Sequence, residues 1–268
     1  MSDPISTRYG GAGPEGLLPL TPVMELMLRH RSVRRYQDRP LPEGLLEALV
    51  ACGQSAATSS NMQAVSLVAV TDPARRQRFA KASSGQAFVA EAPVILCFVL
   101  DQSRAERVGA ATGADLWALP LVDNFIAAAT DAAILAQNIL LAAQSAGLGG
   151  CYIGNLRNDP EFVARELALP PRAMVLFGMA LGYEAPPETG IRPRLPQSVV
   201  LHREHYSTEG EAEALAAYDT VFAAHELAQG RPKDTWTARH KARYANVEYL
   251  DGRINLRAIL KRMGFPLE

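Results

Sequence analysis

The heptad His30-Arg31-Ser32-Val33-Arg34-Arg35-Tyr36 puts a histidine and three arginines into seven residues of a chain whose formal net charge is only −1. A second pair, Arg192 and Arg194, flanks Pro193, whose ring fixes φ and stiffens their spacing. A guanidinium carries five N–H donors in a planar fork that matches phosphate or carboxylate oxygens two at a time. The plain alternative for each segment is a solvated charge cluster. Two features weigh against it. Arg31 and Arg34 stand on either side of apolar Val33, with the hydroxyl of Ser32 between, so donors leave a short segment in several directions. Rigid, converging arginines are also what a phosphate group requires. Residue type and spacing reach a phosphate-bearing ligand and no further.

Other chemistry-bearing stretches are weaker. Gly147–Gly154, GLGGCYIG, is dense in glycine but follows a helix and precedes a strand. A dinucleotide fingerprint needs the opposite order, so that a pyrophosphate meets a helix N-terminus. Glycines here can still let backbone N–H groups approach a flat ligand. His202 and His205 are three apart without the order or third ligand of a metal site. SAATSSNM, residues 55–62, is rich in hydroxyls, yet no G-x-S-x-G elbow surrounds any of them. GRPKDTW, residues 230–236, is a basic loop that taken alone reads as a solvated turn.

These residues need elements to hold them. The chain has 268 residues, is 48% hydrophobic and 21% charged, and has a pI near 6.5, which suits a globular enzyme and argues against bulk nucleic-acid affinity. Cys52, Cys97 and Cys151 fit no disulfide or zinc spacing and read as reduced thiols. Residues 1–19 read as a mobile tail without a signal peptide, and 20–268 as one domain. No apolar run reads as a membrane span, so a cytoplasmic location is the default. Thr21-Pro22 starts a helix that delivers His30 at its end, and a second helix starts at Pro42. Strands are expected over 64–70, 92–100, 151–154 and 173–182, and helices after Asp72-Pro73 and Asp159-Pro160, over 211–229 and over 254–263. The long alanine-rich segment 120–146 is a helix central to the core or buried in a subunit interface, closed by Gly147. Mixed strands and helices without hairpin signals give an α/β layered domain.

With these elements in place, HRSVR at 30–34, TSSNMQ at 58–63, SSGQAFV at 83–89, GLGGCYIGNLRN at 147–158, RPRLP at 192–196 and KDTW at 233–236 resemble the FMN-dependent nitroreductases. Within them the match is to the branch of oxygen-insensitive NADPH nitroreductases and NADPH–flavin reductases. The motifs run in consistent order from about residue 22 to the C-terminus. The resemblance implies a mostly antiparallel sheet among helices, a domain-swapped homodimer and flavin sites at the dimer interface. It implies FMN contacts from His30, Arg31, Ser32 and Arg34, with Arg194 joining at the phosphate. Thr58, Ser59 and Ser60 match the hydroxyl-rich loop beside the flavin, and Gln86 the residue at its pyrimidine edge. Tyr152, Ile153 and Gly154 match the segment along the isoalloxazine, and Arg192 replaces a common lysine facing N1 and the C2 carbonyl. Arg231 and Lys233 match basic residues that approach the 2′-phosphate of NADPH. Ser60, Asn61 and Arg253 fall on the substrate side. Asn155 stands where a second glycine is common, and Asn61 where some relatives carry an aromatic.

The implied chemistry is a ping-pong reaction. Hydride passes from NADPH to the flavin, and two electrons then go to nitro compounds, quinones or related acceptors, with no obligatory protein acid or base. Two alternatives stand beside it: a flavin reductase that releases free reduced FMN, and a flavin-binding or storage protein without turnover.

Overall fold

The structure, a computed structural model, describes residues 3–11, 13–14, 17, 19–187 and 189–268. In chain order its helices are α1 (Pro4–Tyr9), α2 (Pro22–Leu28), α3 (Leu45–Gln54), α4 (Pro73–Ala82), α5 (Ala87–Glu91), α6 (Ser103–Thr112), α7 (Val122–Ser145), α8 (Pro160–Glu166), α9 (Gln197–Val200), α10 (Glu211–Ala228), α11 (Trp236–Ala245) and α12 (Leu256–Arg262). The strands are β1 (Val65–Val70), β2 (Val94–Asp101), β3 (Gly149–Ile153) and β4 (Ala173–Gly182). Where the sequence reads as one domain over 20–268, the chain packs as two compact units. The smaller comprises residues 1–31 and 187–249, the larger residues 32–186 and 250–268.

The larger unit is built on a four-stranded sheet of order β1-β2-β4-β3, antiparallel at every pairing. All eight residues of β2 are buried, so both faces of that strand are covered. Its side chains alternate as the pleat demands. Ile95, Cys97 and Val99 join Phe79, Val89, Leu156 and Val163 on one face, while Val94, Leu96 and Phe98 join Leu49, Leu135, Ile139 and Leu140 on the other. The second face is capped by α7, with α3 packed beside it. α7 has 24 residues, and an 18-residue stretch of it reaches mean hydropathy 1.6, so it is long and apolar enough to cross a membrane, contrary to the sequence expectation. Its buried stripe, from Ala128 through Ala132 and Ala136 to Ala143, instead lies in the core of this unit. Small alanines at these positions let the helix approach the sheet closely.

The glycines of 147–154 also find their use here. Val33 is 2% exposed, and its N–H donates to the Gly150 carbonyl at 3.1 Å along the edge of β3. A Cβ on Gly149 would sit 2.4 Å from Val33 Cγ2, and one on Gly150 would sit 2.7 Å from Leu140 Cδ1. These two glycines therefore make room for protein side chains.

In the smaller unit, the expected tail contains α1. Asp3 caps it by accepting the N–H groups of Ile5 and Ser6 at 3.1 and 3.0 Å, Pro4 opens it, and Gly10 closes it at φ 65°. Met1, Ser2, Ala12, Glu15, Gly16 and Leu18 of that tail lie outside the described residues. The Thr21 hydroxyl caps α2. The expected helix over 211–229 is α10, whereas α11 was not foreseen. Thr235 caps α11 by accepting from Ala238 N–H at 3.1 Å.

Candidate functional site

In the smaller unit the Arg192-Pro193-Arg194 segment is held at every backbone position. Tyr218 donates its hydroxyl to the Pro193 carbonyl at 2.8 Å, Arg8 Nη1 donates to the Arg192 carbonyl at 2.8 Å, and Arg194 N–H donates to the Arg8 carbonyl at 3.0 Å. The rigidity expected from Pro193 is thus supplied by three separate bonds. Arg194 is exposed, while Arg192 lies 3.3 Å from Glu226 and 5.8 Å from the Phe222 ring centroid. A cavity of about 630 Å³ opens on this segment, with Tyr9, Arg192, Arg194, Tyr218, Phe222 and Trp236 among its lining.

Glu226 is wholly buried on α10 and receives three guanidinium groups: Arg192 at 3.3 Å, Arg231 at 3.1 Å and Arg239 at 2.6 Å. Asp234 also pairs with Arg239, so two carboxylates meet three guanidinium groups and the cluster keeps one positive charge in excess. Of the two basic residues expected near a coenzyme phosphate, Arg231 is tied to this carboxylate and Lys233 is exposed. The rest of KDTW has local structural work. Asp234 binds Arg239 at 2.6 Å, Thr235 caps α11, and Trp236 packs 4.7 Å from His240 and 6.1 Å from Tyr218.

His30 and Arg31, both half-buried, end this part of the chain. The His30 and Leu28 carbonyls accept from the Arg8 guanidinium, the latter at 3.0 and 2.7 Å. Arg8 is 6% exposed. Burial and the neighbouring charge of Arg194 push its pKa down to about 10. Through these bonds Arg8 ties the segment carrying half-buried His30 and Arg31 to the one carrying exposed Arg194, so several cationic or N–H donors are held on one small part of the smaller unit. The residues present therefore fit a phosphate group.

In the larger unit the assigned residues fall into three places. Ser32 bridges Gly150, and exposed Arg34 stands 5.9 Å from the Phe88 ring centroid. Burial raises the pKa of the Cys151 thiol, and Arg34, hydrogen-bonded to it, partly offsets the rise. The hydroxyl loop turns from an extended Thr58 (φ −132°) into left-handed Ser60 (φ 47°) and Asn61 (φ 53°), with Gln63 also at φ 50°. Left-handed non-glycine residues cost on the order of 1–3 kcal/mol each and gather at functional sites. The loop is pinned by Asp131, whose Oδ1 accepts Ser59 N–H at 2.9 Å from within α7.

The third place is β3 and the turn after it. Tyr152 is 37% exposed, with its ring 5.4 Å from Phe177 in an edge contact. The Ile153 side chain is packed in the core, so only its backbone can face a ligand. Gly154 begins a 3-10 turn. Asn155, at the position where a glycine is common, donates to Ser84 Oγ at 3.3 Å. Ser84 in turn meets Asp251 and Asn158 at 2.8 and 2.9 Å. This network fixes the loop two residues before Gln86, which opens α5 and is half-buried. Arg253 donates to the Leu250 carbonyl at 3.0 Å.

Three residues of these arrangements escaped sequence reasoning. Asp131 and Glu226 had a usable signal, a single acid on the buried face of an alanine-rich helix. Arg8 had none, because it belongs to no motif.

Two family models match the chain: "Nitroreductase family" over residues 27–183 and "Nitroreductase family, C-terminal domain" over 192–268. An oxygen-insensitive NADPH nitroreductase of Salmonella typhimurium is 35% identical over 220 residues, 81% of this chain and 89% of the relative. Among solved structures, NfrA1 of B. megaterium aligns with a TM-score of 0.86 at 35% identity, covering 91% of this chain and 99% of that one. The NADPH:FMN oxidoreductase of Vibrio harveyi, solved with NAD+, aligns with a TM-score of 0.79 at 33% identity, covering 90% and 97%.

Proposed function

The chain belongs to the nitroreductase family and is an oxidoreductase, and from that premise we propose that it binds FMN, accepts hydride from NADPH and passes electrons in pairs to nitro compounds, quinones or related acceptors. The observation that carries the reading is the cationic Arg192–Arg194 segment, locked in place and open to a cavity. When bound, the flavin supplies the hydride and two-electron chemistry. The chain's own residues bind and orient.

As the family resemblance implies, Arg194, His30 and Arg31 would hold the phosphate, and Arg192 would supply positive charge toward N1 and the C2 carbonyl. Ser32 and Arg34 would serve the phosphate and ribityl chain by the same resemblance. Thr58, Ser59 and Ser60 offer hydroxyls and a strained backbone beside the ring, with Ser60 and Asn61 toward the acceptor. Gln86 meets the pyrimidine edge, and the Tyr152–Gly154 backbone lies along the isoalloxazine. Arg253 belongs to the acceptor side. Lys233, assisted by Arg231, meets the 2′-phosphate of NADPH. Its exposure makes that contact sensitive to ionic strength, since screening acts over about 8 Å at physiological salt.

The reading includes a homodimer. Within the larger unit Trp117, Ile126 and Ile134 are 72%, 56% and 41% exposed, a set that a partner surface would cover. Free Cys52, Cys97 and Cys151 accord with a reducing, cytoplasmic setting. A second reading, release of free reduced FMN, is favoured by the likeness to the V. harveyi NADPH:FMN oxidoreductase.

The test is an absorption spectrum of the purified protein from 300 to 550 nm, before and after anaerobic NADPH, for wild type and Arg194→Ala. A flavin spectrum bleached by NADPH, and lost from the variant, is expected. A colourless wild type, or a yellow protein that NADPH leaves unbleached, overturns the reading. Saturation by added FMN in preference to quinones would select the flavin reductase. Sedimentation of Ile126→Asp at micromolar concentration tests the dimer, with a monomeric mass expected.

A further inference from the structure

Residues 4–9 precede the part of the chain matched by the family models, which begins at residue 27. Yet α1 is bonded to both backbone segments that carry the smaller unit's phosphate-side residues. The Arg8 guanidinium donates to the carbonyls of Leu28 and His30 on one segment and of Arg192 on the other. The Arg8 carbonyl accepts from Arg194 N–H at 3.0 Å. Side chain and backbone of one residue thus bracket the Arg192–Arg194 turn and fix its distance from His30. The helix is seated closely as well. A Cβ on Gly10 would lie 2.3 Å from Val221 Cγ1 of α10, and Gln197 donates to the Tyr9 hydroxyl at 3.4 Å.

We infer that α1 is a working part of the flavin-phosphate site and that Arg8 is its positioning residue, holding His30 and Arg194 in register and adding its own positive charge behind them. The inference rests on the FMN reading above and deepens it. Two physical effects act in the same direction. Four bonds from one buried guanidinium to three carbonyls remove the freedom of two otherwise separate loops, so less ordering remains to be done when the phosphate arrives. Arg8 and Arg194 repel each other, and a phosphate dianion at Arg194 turns that repulsion into attraction to a common anion. By linkage, phosphate binding must then tighten the seat of α1 by the same factor that α1 tightens phosphate binding.

Riboflavin, which has the ring and ribityl chain of FMN without the phosphate, separates this role from a general structural one. Apoprotein of wild type, Arg8→Ala and Arg8→Lys is titrated with FMN and with riboflavin, following quenching of flavin fluorescence. Arg8→Ala is expected to weaken FMN binding by about tenfold, the loss of one or two charge-assisted interactions, with riboflavin affinity within about twofold of wild type. Arg8→Lys keeps the charge and is expected to recover part of the loss. Equal weakening of FMN and riboflavin, or no weakening of either, overturns the inference.

A second measurement uses wild type alone and does not depend on how the variants fold. Trypsin cleavage after Arg8 is timed with and without saturating FMN or riboflavin. Slower cleavage with FMN but not with riboflavin supports the inference, and identical rates overturn it. A wild-type apoprotein that binds neither flavin overturns the FMN reading itself. A wild type that binds FMN, with Arg8→Ala binding it equally well, overturns only the role of Arg8.

Discussion

Arg239 meets Glu226 at 2.6 Å, with the guanidinium 40% exposed and the carboxylate wholly buried. The same carboxylate takes Arg192 and Arg231, so one acid on α10 fixes a flavin-assigned arginine, a coenzyme-assigned arginine and the start of α11. Removing one member of such a set leaves the others without their counter-charge. Glu226→Ala should lower stability by about 3 kcal/mol, toward the lower end for buried pairs because the arginines reach solvent. Urea unfolding of the two proteins gives the value, and an unchanged midpoint would show that the carboxylate holds nothing.

Asp131 should act on the acceptor side without touching the acceptor. Its Oδ1 holds Ser59 N–H, and Ser60 and Asn61 follow in left-handed geometry. Asp131→Ala should relax this turn and cost about 1–3 kcal/mol for the bond lost. Steady-state kinetics should show a raised KM for a quinone at nearly unchanged flavin content. Full loss of flavin on purification would argue that the loop serves the cofactor more than the acceptor.

Gly149 and Val33 form a packing lock, with a Cβ on the glycine 2.4 Å from Val33 Cγ2. Gly149→Ala should therefore destabilise by about 1–3 kcal/mol through overpacking. Val33→Ala should open a small cavity by itself and relieve part of the clash when combined with Gly149→Ala, since the Cβ of residue 33 would still lie 2.7 Å from the new Cβ. A double-mutant cycle measures the coupling. Strict additivity of the two changes would mean that the segment 32–36 moves away from β3 easily.

Asp101 closes β2 and carries the pH prediction. Burial by itself would raise its carboxyl, but hydrogen bonds from Ser103 and from Ser66 (2.6 Å), with the charge and N–H of Arg104, hold it below the ordinary carboxylate value. A folded-state pKa below the unfolded one gives stability that is present above the unfolded value and lost as pH falls through the folded one. Asp101→Asn should thus be less stable than wild type at pH 7 by about 2 kcal/mol, and the gap should close below about pH 4. Thermal unfolding at pH 7, 5 and 3 would show it. A gap that persists unchanged at pH 3 would assign the effect to shape and not to charge.

Periodicity in the sequence located the elements that make their own case locally. The four strands, α7 and the Pro-opened helices α2, α4 and α8 appear within a few residues of where pattern and capping place them. The motifs also identified the family, because HRSVR, GLGGCYIGNLRN and RPRLP keep their order. Helices held by tertiary contacts stayed hidden. α11, for example, has a basic, weakly apolar sequence and is anchored by Asp219 accepting Thr237 N–H at 2.9 Å and by Glu226 receiving Arg239. The meaning of the glycines in 147–154 was equally out of reach, since it depends on Val33 and Leu140, far away in the chain. What the sequence determined about the site was its chemistry, a set of arginines suited to phosphate. Which of those arginines are locked, which share Glu226, and that Arg8 binds them from outside every motif was decided by tertiary structure alone. Hydrogen bonds to backbone carbonyls and a buried shared carboxylate are set by distances in space, and no residue type or spacing announces them.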